Sequence, residues 1–211
     1  MSYRHIEELI ERKPWLAKCK ESIERFCDAL IMCFRNGGKV IVCGNGGSCS
    51  DSGHIVGELM KGFHRKRPLS SELRDKLAEF GEEELANKLQ TPLRAIDLTA
   101  MSSLCTAIAN DIDADCIYAQ QALAYTDPGD VFIGISTSGN ARNIHYAAVA
   151  AKSLGAVIIG MTGLDGGSMN GSGLYDICIQ VPESKTYRIQ EEHISVYHAV
   201  CLDTERFFFS E

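Results

Sequence analysis

Apolar residues gather in five short runs along the chain, at 40–43, 95–98, 131–135, 157–161 and 177–181. The first carries consecutive β-branched Val40, Ile41 and Val42, which suits a strand covered on both faces of a parallel sheet. Longer segments between the runs read as helices, at 48–63, 101–109, 115–125, 141–154 and 186–207. Ahead of the first run, a short helix is expected over 2–12 with Ser2 as its cap. A second is expected over 14–36, with Pro14 in its first turn. Leu16, Cys19, Ile23, Phe26, Cys27, Leu30, Cys33 and Phe34 form its apolar stripe, and Gly37 and Gly38 end it. Residues 70–89 read as an amphipathic helical segment with Leu73, Leu77, Phe80, Leu85 and Leu89 on one side, interrupted near Gly81. Strand and helix alternate throughout. That predicts an α/β fold: a three-layer αβα sandwich with a mostly parallel, flavodoxin-like or Rossmann-like sheet. Without repeats or low-complexity linkers, 1–211 is read as one domain, with N-terminal helices at 1–38 and a helical insertion at 64–92.

Composition narrows the class. Of 211 residues, 45% are hydrophobic and 23% charged, ordinary for a globular protein, and the formal net charge is −7. An acidic chain argues against broad binding to nucleic acid or to anionic membranes. No apolar run reaches the roughly 20 residues that span a bilayer, and the start lacks a signal-peptide core, so a cytoplasmic protein is expected. Nine cysteines, without a CxxC pair, read as reduced core thiols, Cys49 in the glycine turn being the exception to watch.

The first run stops on Gly44, Asn45, Gly46, Gly47 and Ser48. Strand, glycine turn and helix start make an arrangement whose free N–H groups favour anions. His54 and Glu58 follow four residues apart, on one helix face. A second turn, Ser136, Thr137, Ser138, Gly139 and Asn140, ends the third run. Both turns open at the carboxyl ends of strands, where ligands of such sheets bind. Ser48, Ser136, Thr137 and Ser138 offer four hydroxyls and no fixed positive charge, a cradle for a phosphate monoester. Either turn alone equals ordinary helix capping, and neither holds a GxGxxG or a Walker lysine. Gln190 and His198 lie eight apart on the last helix, roughly 80° around its axis, and periodicity does not choose between His193 and His198. The basic run His64, Arg65, Lys66 and Arg67 reads as a solvated helix end. Asp111, Asp113 and Asp115 alternate in a polar loop that lacks the glycine and distal glutamate of a calcium hand, with Asp115 capping the next helix.

These residues, together with Cys43, Gly134, Ile135, Thr162, Gly163, Asp165, Gly166, Gly167, Arg188, Ile189 and Glu191, resemble the sugar isomerase (SIS) domain. Within that family they look like the phosphoheptose isomerases. The resemblance implies conversion of sedoheptulose 7-phosphate to D-glycero-D-heptose 7-phosphate through an enediol(ate). Glu58 would be the base and His198 the partner acid or base. It implies a zinc ion held by His54, Glu58, Gln190 and His198. Ser48, Ser136, Thr137 and Ser138 would hold the phosphate, helped by Gly46, Gly47 and Asn140, and Asn45, Asp111 and Gln190 would meet the sugar. It also implies a homotetramer with sites at subunit boundaries. The chain departs from the pattern at Cys49 (usually His), Ala141 (often a hydroxyl) and Gly62 (usually basic, with Lys61 next to it as a substitute). The 70–89 segment is longer than usual. These departures bear on the substrate, so an isomerase for a different phosphosugar is the near alternative. The far alternative is a non-catalytic adaptor for a bacterial replication initiator, which has no need of His54, Glu58, Gln190 and His198 together.

Overall fold

A computed structural model describes residues 3–209; the expected Ser2 cap lies outside them. Five parallel strands form one sheet: β1 (Val40–Gly44), β2 (Ala95–Asp97), β3 (Val131–Ile135), β4 (Val157–Thr162) and β5 (Ile177–Gln180), in the order β2-β1-β3-β4-β5. This is the flavodoxin-like order, and each strand lies within two residues of its apolar run. Successive residues of β1 feed opposite layers. Val40 and Val42 enter one core, Ile41 and Cys43 the other.

The first layer is built by α1 (Arg4–Arg12), α2 (Lys20–Arg35), α3 (Gly47–Met60) and α9 (Thr186–Phe208). The second is built by α7 (Ala119–Tyr125) and α8 (Arg142–Ser153), with α6 (Ser102–Asp111) at its margin. The N-terminal helices therefore pack inside the chain, α1 and α2 both against α9. Asp203 of α9 accepts the N–H groups of His5 and Ile6 at 3.0–3.1 Å and so caps the start of α1.

Several expectations are corrected. The helix expected over 14–36 is a 3-10 segment, Pro14–Cys19, followed by α2. The first glycine turn leads into a helix that ends at Met60, not near residue 63. Asn110 and Asp111 belong to α6, and Asp113 rather than Asp115 caps the next turn, accepting the Asp115 N–H at 2.7 Å.

The 70–89 segment does break at Gly81, into α4 (Ser71–Ala78) and α5 (Glu83–Lys88). Its apolar side is not buried within the chain; Phe80 is 83% exposed, and Leu73, Leu85 and Leu89 are also exposed.

The largest correction concerns the basic run. Arg67 is fully buried, its Nε donating to Glu205 of α9 at 2.8 Å. Its other nitrogens donate to the carbonyls of Leu59 (2.6 Å) and Glu58 (3.0 Å). Those are orphan acceptors of the last turn of α3, so Arg67 caps that helix from inside the core.

Candidate active site

The strand order reverses between β1 and β3, and the crevice outside their carboxyl ends is where this topology binds ligands. The turn after β1 passes through Gly46 at φ 58°, a backbone that side chains rarely adopt. At Gly47, a Cβ would overlap the side-chain amide of Gln190, so α9 reaches directly onto this turn. Asn45 and Asn143 exchange two amide hydrogen bonds of 2.9 Å each, joining the first turn to the start of α8. In the second turn, Ser136 Oγ accepts the Ala141 N–H at 3.4 Å and Ser138 Oγ accepts the Asn140 N–H at 3.2 Å. The Asn140 amide holds this turn to the next one, donating to the Ser138 carbonyl and accepting the Ser168 N–H. A cavity of about 240 Å³ opens beside Thr137, Ser138, Asn140, Gly166 and Thr186. Ser48 and Ser136 are both buried at the edges of the turns.

Where α3 crosses α9, imidazole and carboxylate groups converge. His54 Nε2 lies 3.2 Å from Glu58 Oε1 and 3.3 Å from His198 Nε2. One donor atom from each of these three residues falls within 4.8 Å of the others. On the far side of the His54 ring, Nδ1 is 2.8 Å from the Tyr197 hydroxyl, which lies 3.2 Å from Asp51 Oδ1. Lys61 Nζ reaches Glu58 Oε2 at 3.1 Å. A Cβ at Gly62 would overlap the Arg65 carbonyl, so position 62 has no room for a side chain, and Lys61 is the neighbouring cation at Glu58. Phe63 covers the His198 ring at 5.3 Å, and a pocket of about 140 Å³ runs from His198 to His5, Glu8 and Arg12 on α1.

Burial, then the neighbouring His54, draws the His198 pKa below the ordinary imidazole value, against the pull of Glu58. Desolvation raises the Asp51 carboxyl, and burial followed by the facing Asp51 raises the Tyr197 phenol. His193, which periodicity left as a rival to His198, is fully buried; its Nε2 donates to the Thr162 carbonyl at 3.2 Å, and burial pushes it down to about 4. It is a core residue.

The structure thus brings Glu58, His54 and His198 together, and Gln190 with Asn45, Gly46, Gly47 and Ser48. Asp111 stands exposed at the end of α6, accepting a bond from Asn110. Two imidazoles and a carboxylate make a mixed nitrogen and oxygen donor set able to hold a divalent metal ion, and unprotonated, their lone pairs face one another. Sequence reasoning passed over Asp51, Tyr197 and Asn143. Asp51 was within reach, since Asp51, His54 and Glu58 recur at the i, i+3, i+7 spacing of one helix face.

A SIS-domain family model matches residues 3–90 and 83–163. A phosphoheptose isomerase of Shewanella loihica is 38% identical over 192 residues, covering 90% of this chain and 86% of its own. The structure of a phosphoheptose isomerase from Neisseria gonorrhoeae superposes with a TM-score of 0.73 at 33% identity, over 95% of each chain. That of a phosphoheptose isomerase from Francisella tularensis gives 0.76 at 30% identity, over 95% of this chain and 94% of that one.

Proposed function

The chain belongs to the SIS-domain family, and from that premise we propose that it is a phosphoheptose isomerase, interconverting sedoheptulose 7-phosphate and D-glycero-D-heptose 7-phosphate. The observation that carries this reading is the meeting of Glu58, His54 and His198 where α3 crosses α9, on the same two helices that reach the first glycine turn through Ser48 and Gln190. Glu58 takes the proton from C1 of the ketose and returns it to C2, and His198 passes a proton between O2 and O1. An imidazole whose pKa is drawn down stays neutral at physiological pH, which suits a group that both gives and takes a proton.

Ser48, Ser136, Thr137 and Ser138 hold the phosphate with the N–H groups of the turns, while Asn45 and Gln190 orient the sugar. Asp111 joins them on the strength of the resemblance. A zinc ion held by His54, Glu58 and His198 would supply Lewis-acid polarisation of the carbonyl, and the donor chemistry of these three fits it; Gln190, whose amide lies on the first turn, is added to them by the resemblance. The resemblance implies a homotetramer, in which contacts between subunits would cover apolar side chains such as the exposed Trp15, Met32 and Ile194. Nine free thiols support a reducing, cytoplasmic setting, and among the described residues no helix is long and apolar enough to cross a membrane.

The test is turnover of sedoheptulose 7-phosphate by purified protein, with zinc and after chelation, beside Glu58→Gln. Turnover abolished by that substitution supports the reading. Its absence in a folded wild type overturns it and points to another phosphosugar.

A further inference from the structure

We infer that Tyr197, held by Asp51, is a positioning residue that fixes His54 with its proton on Nδ1 and leaves Nε2 bare towards Glu58 and His198. The inference rests on reading His54 as part of the site, and it concerns a tyrosine that the proposed function leaves unused.

Hydrogen-bond accounting gives the direction. Tyr197 is fully buried, and its hydroxyl has two partners and one proton. A carboxylate oxygen only accepts. The phenol O–H therefore points to Asp51 Oδ1 at 3.2 Å, and its oxygen faces His54 Nδ1 at 2.8 Å as an acceptor. A ring with a single proton then carries it on Nδ1. Its Nε2 lone pair is left facing Glu58 Oε1 at 3.2 Å and His198 Nε2 at 3.3 Å, an orientation that welcomes a proton or a cation at that point. Packing alone does not account for the arrangement. The second oxygen of Asp51, Oδ2, is buried without a partner, a cost that an apolar residue would avoid. The Tyr197 ring also meets His54 and His198 edge-on at centroid distances of 5.5 and 5.0 Å, so one side chain braces both imidazoles.

The test reads the tautomer directly and needs no substrate. Long-range proton–nitrogen correlation spectra of metal-free protein labelled with ¹⁵N-histidine show which ring nitrogen carries the proton, and His54→Gln assigns the signal. The expected result is the Nδ1–H form in the wild type, shifting mainly to Nε2–H in Tyr197→Phe, which keeps the ring and removes the acceptor. An Nε2–H form in the wild type overturns the inference whether or not the variant folds, as does an unchanged Nδ1–H form in Tyr197→Phe. Zinc competition against a chromogenic chelator gives a second reading. Tyr197→Phe is expected to weaken zinc binding about 10-fold or more, and equal affinity in wild type and variant counts against the role. Absence of sedoheptulose 7-phosphate turnover in the folded wild type would sink the proposed function and leave this tautomer result standing.

Discussion

Two polar clusters lie on the same pair of helices, and they are built on opposite terms. At the end of α3, Arg67 and Glu205 are both buried and fully engaged. Glu205 accepts the N–H groups of Phe63, His64 and Arg65 as well as the guanidinium. Burial alone would raise this carboxyl, but those donors outweigh it and hold it below the usual carboxylate range. About two turns back along α9, Asp51, His54, Glu58 and His198 are only partly satisfied, with nitrogens facing nitrogens. Glu58 belongs to both clusters: its carbonyl is tied down by Arg67 while its carboxylate faces the site. A closed cluster spends its hydrogen bonds on rigidity. An open one keeps them for a ligand, and the closed one holds its backbone still.

Substitutions can test that division. The largest effect is expected from Glu58→Gln, which should lower turnover about 10³-fold, roughly 4 kcal/mol of barrier, with no loss of thermal stability. A matching loss of stability would erase the contrast. Arg67→Met should do the reverse at the stability level, costing about 3–5 kcal/mol in urea unfolding by leaving Glu205 buried and unpaired. Adding Glu205→Leu should recover part of that cost, a coupling that a double-mutant cycle measures.

His193 offers a subtler case on α9. Its folded pKa of about 4 lies below the ordinary imidazole value, so the unfolded chain binds the proton first. Stability is then complete above pH ~6.5 and declines towards pH ~4, by about 3 kcal/mol in all. The wild type should show this extra decline relative to His193→Asn when unfolding is followed at pH 7, 5.5 and 4.5. Gly47→Ala should push Gln190 off the first turn and raise KM about 10-fold with a smaller change in kcat. Smallest of all, Lys61→Ala should change stability by less than about 1 kcal/mol, because its pair with Glu58 is largely exposed on the lysine side.

The sheet was legible because its information is local. Val40, Ile41, Val42 and their counterparts announce buried strands, and glycines mark where they stop. His54 and Glu58 were legible for the same reason, being neighbours on one helix. Arg67 was not. Its partner, Glu205, lies 138 positions away, and a buried arginine in a basic run looks like any solvated one. Tyr197 was hidden otherwise: its ring fits the apolar stripe of α9, and only the hydroxyl, aimed at His54, gives it a second role. The hinge between Pro14–Cys19 and α2 also escaped, since a 3-10 turn and an α-helix present much the same apolar spacing over one turn.

The dependence of so many parts on α9 has a consequence in the time order of synthesis. This helix, the last of the described elements to leave a ribosome, brings Gln190 to the first turn, His198 to His54, Asp203 to the start of α1 and Glu205 to Arg67. A nascent chain can pair its five strands before then, but α1 has no cap, Arg67 has no counter-charge and the acid–base pair is incomplete. Chemistry is thereby withheld until the 23 residues of α9 arrive, about one to five seconds of elongation, and a chain without α9 carries no half-working site.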